Sequence, residues 1–290
     1  MKKIFITLLV VILTFGLFAG CGKKDDEQTP ANNNETSNSE TSLPSEYEDG
    51  IYFATEEDFS DSGWKYAVTI EVENGEFVSV DWNGANKNGG KDKKTSSADG
   101  DYGMVEKGGA QAEWHEQAEK TEAYLLETQD PTAISYTSDE GHTDDIAGVS
   151  IHVVEFYNLV EKALSNGPVE VGHWQDGTFY AEEDDFNKGY KYTVSLTVIN
   201  GNIVAANWDA ISEEDEKTKK QASIDGEYGM DDAPQGPWFE QAAAVEAYLL
   251  ETQDPTAVTL DEDGNSDDIA GASITVSTFF ELADEALQAR

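Results

Sequence analysis

The segment YAVTIEVENGEFVSVDW, residues 66–82, decides the fold because it carries a two-residue period on both sides of a turn. Alternation of apolar with polar or small residues is the pattern of a half-buried β-strand, and here the apolar positions are Tyr66, Val68, Ile70 and Val72. Asn74-Gly75 is a strong signal for a tight hairpin, after which EFVSVDW resumes the strand pattern. The segment therefore predicts two antiparallel strands of a β-meander.

The same pattern returns at 192–208, YTVSLTVINGNIVAANW, and longer stretches of the chain return with it. DGIYFATEEDF from residue 49 matches DGTFYAEEDDF from residue 176, and EAYLLETQDPTA occurs letter for letter from 122 and from 246. A repeat of this length is a whole domain. We therefore predict two homologous domains, at 49–164 and 176–290, joined by a linker at 165–175.

Each repeat also places two amphipathic helices after its strands. The apolar stripes are Trp114, Ala118, Thr121, Leu125 and Val153, Phe156, Val160, Leu164 in repeat one, and Trp238, Ala242, Val245, Leu249 and Val276, Phe279, Ala283, Leu287 in repeat two. Strands followed by helices are typical of α+β domains. The predicted fold class is therefore α+β, with two tandem domains that each form a β-meander followed by packed helices.

The N-terminus has the plan of a secretory signal. Lys2 and Lys3 precede an apolar run over 4–19, which is short for a bilayer span. The ending FAGC resembles a bacterial lipobox, which implies cleavage after residue 20 and a lipid on Cys21, with an uncleaved anchor helix as the alternative. Residues 21–48 contain almost no large apolar side chain, so we predict a disordered, lipidated tether.

The charge of the chain excludes one class of partner. It has 59 acidic and 18 basic residues, a formal net charge of -41, so nucleic acid is not expected to bind. Anionic lipid headgroups are also repelled, so attachment to the extracytoplasmic face of the cell membrane has to come from the lipid anchor. Cys21 is the single cysteine, and no intramolecular disulfide can form.

One short phrase is nearly identical in the two repeats: DDIAGVS at 144–150 and DDIAGAS at 267–273. It comes just before the last helix of each repeat, so Ser150 and Ser273 are expected at or near the N-terminus of that helix, where backbone N–H groups favour a phosphate. A serine N-cap is one alternative, and a strand over the β-branched SIHVV is another.

The phrase resembles the flavinylation motif of FMN-binding domains, Asp-x-x-Ser/Thr-Gly-Ala-Ser/Thr. The resemblance implies that a flavin transferase joins FMN through a phosphoester to the last hydroxyl, so that one chain carries up to two covalent FMN groups. The implied cofactor-binding residues are Ser150, Asp144 and Gly148 in repeat one, and Ser273, Asp267 and Gly271 in repeat two. The sequence departs from the motif at Ala147 and Ala270, where the motif has a hydroxyl, and at Val149, where it has alanine.

A lipobox, a polar tether and two such domains together are similar to the flavinylated lipoproteins of extracellular electron transfer in Gram-positive bacteria. This similarity implies an electron carrier and not an enzyme, with a membrane quinol-linked donor and extracellular electron acceptors as partners. The alternative is a cofactor-free surface lipoprotein that binds a ligand or a cell-wall polymer.

Other patterns are weaker, and we predict neither a metal site nor a catalytic residue. DEDGNSDD from Asp261 has its glycine at the wrong place for a calcium loop. Ser150 with His152 suggests a nucleophile and a base, but repeat two has Thr275 at the position of the histidine. Trp82 and Trp208 are interpreted as core residues, with stacking on a flavin as the alternative. Two lysine runs are interpreted as solvated polar faces, with contact to a flavin phosphate as the alternative: Lys91, Lys93, Lys94 and Lys217, Lys219, Lys220.

Overall fold

The repeated hairpins form two separate three-stranded antiparallel sheets in the computed structural model, which describes residues 46–214 and 216–289. The predicted signal peptide, Cys21 and nearly all of the tether lie outside the described residues. In each sheet the strands are neighbours in chain order, and helices follow the strands in each repeat. The predicted α+β class with two tandem repeats is therefore confirmed.

The two repeats share their order of strands and helices, except that the short helix α2 of repeat one has no counterpart among the described residues of repeat two. Repeat one consists of β1 (Gly50–Thr55), β2 (Trp64–Glu73), β3 (Glu76–Asn86), α1 (Lys93–Ala98), α2 (Met104–Gly108), α3 (Trp114–Thr128) and α4 (Val154–Asn166). Repeat two consists of β4 (Gly177–Glu182), β5 (Tyr190–Ile199), β6 (Asn202–Ser212), α5 (Lys219–Ile224), α6 (Trp238–Thr252) and α7 (Ser277–Gln288). Among the described residues, none of these helices has the length and hydropathy needed to cross a bilayer.

The predicted hairpin turns are present in both repeats. Asn74 and Gly75 have φ of 54° and 79°, and Asn200 and Gly201 have φ of 51° and 70°, as a two-residue turn between twisted strands requires. The tips of both hairpins therefore lie where the Asn-Gly pairs predict. Repeat two has no counterpart of α2 within its described residues, and there the sequence DDAPQGP at 231–237 carries two prolines, which lack the N–H that a helix needs.

The core of each repeat lies between one face of the sheet and the two longest helices. Every residue of the predicted apolar stripes is buried except Leu287, which is half-buried. Trp82 and Trp208 are fully buried at the centre of the two cores, so their interpretation as core residues is confirmed. Their indole Nε1 atoms are buried without a hydrogen-bond partner.

Helix α3 also covers the free edge of strand β3. The Glu122 carboxylate accepts the Trp82 backbone N–H at 2.6 Å, and Gln129 exchanges two hydrogen bonds of 2.7 and 2.9 Å with the backbone of Phe77. The counterparts in repeat two are Glu246 with Trp208 and Gln253 with Ile203. Side chains of the helix thus satisfy edge groups that would otherwise be unpaired. This task explains why the glutamate and the glutamine recur within the letter-for-letter repeat.

The two repeats contact each other through the outer faces of their sheets. Ala67 and Ala85 of repeat one form a buried apolar cluster with Ile199, Val204 and Ala205 of repeat two. An antiparallel sheet commonly leaves one face to water, but here small side chains allow part of that second face to be buried as well.

Hydrogen bonds extend the contact between the repeats. The Gly90 N–H donates to Ser195 Oγ at 3.0 Å. The predicted linker is fixed too, because the Gly172 N–H donates to the Asn200 carbonyl at 3.0 Å. The described residues of the two repeats accordingly belong to one compact unit.

Candidate functional site

The repeated phrase at 144–150 and 267–273 forms an irregular loop in both repeats. Ser150 and Ser273 lie four residues before the first residues of α4 and α7, whose N-caps are Val153 and Val276. The helices therefore begin about one turn later than the sequence analysis expects. The alternatives of a serine N-cap and of a strand over SIHVV are also wrong.

A buried glutamine from the long helix holds each serine. In repeat one, Oε1 of Gln117 accepts the backbone N–H of Ser150 at 2.7 Å and its hydroxyl at 3.2 Å. In repeat two, Oε1 of Gln241 accepts the same two groups of Ser273 at 2.8 and 3.1 Å. Both glutamines are buried and use their Nε2 groups to donate to a backbone carbonyl just before the helix. Neither glutamine was predicted from the sequence, although EQA occurs at both places.

Three positions of the phrase have a structural role within the fold. In repeat one, Asp145 accepts the Ser135 backbone N–H at 2.7 Å, and Ile146 is buried. Gly148 has φ of 78°, a conformation that strains residues with a Cβ atom. Asp268, Ile269 and Gly271 show the same features in repeat two.

The remaining shared positions of the phrase are exposed, namely Asp144, Ala147 and Ser150 in repeat one and Asp267, Ala270 and Ser273 in repeat two. Exposed loop positions are the ones that packing leaves free to vary. The serine hydroxyl donates to the buried glutamine, so contacts within the fold account for four of the six shared positions, and the exposed aspartate and alanine are the two whose recurrence they do not explain.

A cavity of about 560 Å³ lies beside the segment that follows the serine loop of repeat two, although none of residues 267–273 lines it. Thr275, two residues after Ser273, lines it together with Thr278 on α7. The other walls are formed by four aromatic residues, two lysines and three further residues: Tyr190, Tyr192, Trp208, Tyr228, Lys188, Lys219, Glu183, Asn187 and Met230. Its size and its mixture of aromatic and polar walls are typical of a site for a small organic ligand.

Lys219, one of the two lysines in this cavity wall, is enclosed by aromatic rings. The Nζ atom of Lys219 lies 4.6 Å from the ring centroids of Tyr192 and Tyr228, 4.9 Å from that of Trp238 and 5.2 Å from that of Tyr190. It also donates a hydrogen bond to the Tyr192 hydroxyl. Burial lowers the pKa of Lys219 to about 8, against the opposing effect of nearby carboxylates.

Repeat one encloses Lys93 in the same way. Its Nζ atom lies between 4.7 and 5.1 Å from the ring centroids of Trp64, Tyr66, Tyr102 and Trp114. Burial lowers the pKa of Lys93 further, to about 7. Lys93 and Lys219 are the second lysines of the two runs.

The interpretation of the two lysine runs as solvated faces is therefore wrong, except for their first members, Lys91 and Lys217. The third members are partly buried, and the ammonium groups of Lys94 and Lys220 lie 2.7 Å from Glu122 and Glu246. Lys91 and Lys217 come before the short helices α1 and α5, whereas the second and third lysines of each run are the first two residues of the helix. The sequence pattern alone did not reveal which of these lysines faces the core.

Two of the weaker sequence patterns have other structural explanations. The Ser150 hydroxyl donates to Gln117, while the His152 ring contacts that of His142, with centroids 4.4 Å apart. The carboxylate of Asp261 accepts two backbone N–H groups of its own loop, at 2.8 and 2.9 Å. These contacts are those of a structured loop and favour neither hydrolysis nor calcium binding.

A second cavity, of about 440 Å³, lies where the repeats meet. Asn88 and Gly90 of repeat one line it opposite Ser195 and Asn207 of repeat two. None of the residues in the repeated phrase lines this cavity.

No protein-family model and no curated protein sequence matches the chain. A Clostridium thermocellum protein with a solution NMR structure is 62% identical over 41% of this chain and 90% of its own, with a TM-score of 0.34. The CPE2226 protein of Clostridium perfringens, known from a crystal structure, is 24% identical over 42% of this chain and 88% of its own, also with a TM-score of 0.34. By sequence identity, the chain belongs to the same protein family as the Clostridium thermocellum protein.

Proposed function

We propose that the protein is a membrane-anchored, extracytoplasmic electron carrier with FMN attached covalently to Ser150 and Ser273. The observation that carries the proposal is the pairing, in repeat two, of an exposed serine on a fixed loop with a cavity of about 560 Å³ whose wall includes Thr275, two residues after the serine. When bound, FMN supplies the ability to accept and release electrons. The chain supplies the attachment point, the cavity walls and the local charge.

The residues around Ser273 fit a covalently attached flavin phosphate. The hydroxyl is exposed and lies on the loop that continues into the cavity wall at Thr275. Aromatic walls offer flat apolar faces to a ring system, and the two lysines and the two threonine hydroxyls offer hydrogen-bond donors. Lys188 and Lys219 together outweigh the single carboxylate of this wall, Glu183, although the chain as a whole is strongly acidic.

Attachment requires a transferase and an activated flavin nucleotide with a phosphoanhydride bond. The serine oxygen forms a bond to the flavin-bearing phosphorus, the phosphoanhydride bond breaks, and a nucleoside monophosphate leaves. The serine proton passes to a base of the transferase. The task of Gln241 is to hold Ser273 in one position on the surface, since misplacement by about 1 Å can cost on the order of 100-fold in rate.

The partners follow from the proposed position at the membrane. A lipid on Cys21 and a tether over 21–48 would let the folded repeats move between a quinol-linked donor in the membrane and extracellular acceptors. Because the surface is acidic, these encounters are expected to weaken at high salt when the partner is basic.

A cofactor-free lipoprotein that binds a ligand is the second candidate. The cavity of about 440 Å³ between the repeats favours it, because it lies away from both serine loops. In that case the native protein is colourless and its function survives replacement of both serines.

The test is the intact mass and absorbance of protein purified from a host that contains the transferase. We expect two flavin increments in the wild type, one in Ser150→Ala or Ser273→Ala, and none in the double variant. Ser62→Ala, a change of an exposed serine in repeat one, is the matched control and should keep both flavins. A wild-type mass without any flavin would overturn the proposal.

A further inference from the structure

We propose that repeat one binds a divalent first-row transition metal, such as Zn²⁺, through Glu140, His142 and His152. One ligand atom from each residue lies within 4.8 Å of the other two, and Nε2 of His142 is 3.6 Å from Oε2 of Glu140. Ligand atoms around a tetrahedral Zn²⁺ are separated by about 3.3–3.6 Å, given bond lengths of about 2.0–2.2 Å. Small rotations of exposed side chains are enough to close the cluster to that spacing.

The backbone holds the two histidines together before any metal arrives. The Val153 N–H donates to the Gly141 carbonyl at 2.9 Å and closes the neck of the loop that carries Ser150. His142 directly follows Gly141 and His152 directly precedes Val153, so the two histidines are the first and last residues of the loop that this bond closes. Two ligands that are already adjacent lose less conformational entropy on binding than two on independent segments.

The chemistry of the ligands selects the class of metal. Two imidazoles and one carboxylate suit Zn²⁺ and its neighbours in the first transition row, whereas Mg²⁺ and Ca²⁺ prefer oxygen ligands. The side chains of His142 and His152 are 35% and 47% exposed, which leaves room for water as a further ligand.

A second carboxylate, that of Glu155, lies next to His152. Oε1 of Glu155 lies 3.9 Å from Nδ1 of His152, while its Oε2 is buried without a hydrogen-bond partner. Carboxylates commonly orient imidazoles that bind metals. Glu155 is therefore suited to be a positioning residue for His152.

Repeat two provides a natural comparison. Its loop is closed by the same bond, from the Val276 N–H to the Gly264 carbonyl at 2.8 Å. Asp263, Asn265 and Thr275 occupy the positions of the three ligands, and Thr275 donates to Asn265 at 3.3 Å. Asparagine and threonine are thus compatible with this loop, and they can replace the two histidines with little risk to the fold.

The test uses isothermal titration of the full chain with Zn²⁺, on protein made without the flavin transferase. We expect one tight site in the wild type and at least about 100-fold weaker binding in the double variant His142→Asn and His152→Thr, because even outer-shell changes cost 10–100-fold. The reverse exchange, Asn265→His with Thr275→His, should raise the stoichiometry from one tight site to two. Ca²⁺ should show no tight site in any of these proteins.

Two results would overturn the metal site. One is a wild type without tight Zn²⁺ binding. The other is a double variant that binds as tightly as the wild type, which would assign the binding to the acidic surface in general. Because the titrated protein carries no flavin, neither result depends on whether Ser150 is a flavin site.

Discussion

Replacement of Gln241 by methionine tests the role of the buried glutamine that holds Ser273. Methionine has a similar volume, so the change removes hydrogen bonds without opening a large cavity. Three bonds are lost, two from Ser273 at 2.8 and 3.1 Å and one to the Gly236 carbonyl at 2.8 Å. A net contribution of about 1 kcal/mol for each, reduced because the exposed hydroxyl can bond to water, predicts a loss of about 2–3 kcal/mol.

Amide hydrogen exchange at Ser273 is the direct measurement, since that N–H loses its acceptor. We expect its opening free energy to fall by the same about 2–3 kcal/mol, while the amide of Ser150 is unchanged. Gln117→Met should give the reverse result. Gln111→Met, at an exposed position, is the control and should change neither amide by more than about 0.5 kcal/mol.

The same variant tests the link from structure to modification. If the glutamine presents the serine to a transferase, Gln241→Met should lower flavin incorporation at Ser273 although the hydroxyl is still there. The reasoning is refuted if the Ser273 amide of Gln241→Met exchanges as in the wild type. Full protection of that amide would mean that other contacts hold the loop.

Three further predictions concern the anchor, the buried lysine and the two serines. Cys21→Ser should release the protein into the medium or stall its processing, as measured by fractionation, and full membrane retention of a processed form would contradict a lipid anchor. Burial lowers the pKa of Lys219 from 10.5 to about 8, so the folded protein loses this proton at a lower pH than the unfolded chain does. The free energy of unfolding, relative to that of Lys219→Met, should therefore rise with pH between about 8 and 10.5. A difference in urea midpoints that is the same at pH 7 and pH 10 would contradict this. When transferase is limiting, peptide mapping should find Ser273 more fully modified than Ser150. The reason is that Ala272 precedes Ser273, whereas the bulkier, β-branched Val149 precedes Ser150. Equal occupancy at every transferase level would show that valine is tolerated.

The hairpins and the helical stripes could be predicted because each rests on a local rule. The Asn74-Gly75 turn needs positive φ at both residues, and the alternation from Tyr66 to Val72 needs one buried face. Both rules act over a few neighbouring residues. The sequence therefore predicted the sheet order of each repeat and the buried faces of its helices.

The parts of the site that the sequence did not predict depend on contacts between distant segments. Gln117 reaches Ser150 across 33 positions, and Lys93 lies among aromatic rings from β2, α3 and the segment before α2. Neither contact leaves a local pattern. The expected helix start near Ser150 was wrong for a related reason, because the Val153 N–H is bonded to the carbonyl of Gly141 and the helix begins after that bond.

The buried cluster of Ala67, Ala85, Ile199, Val204 and Ala205 has a mechanical consequence for the tandem arrangement. Repeats joined only by a flexible segment sample many separations, and their linker length then sets the mean. Here the sheets are in direct contact and the linker is itself hydrogen-bonded to a hairpin. The spacing between the two serine loops is therefore a constant of the fold, and lengthening the chain between the repeats should leave it unchanged.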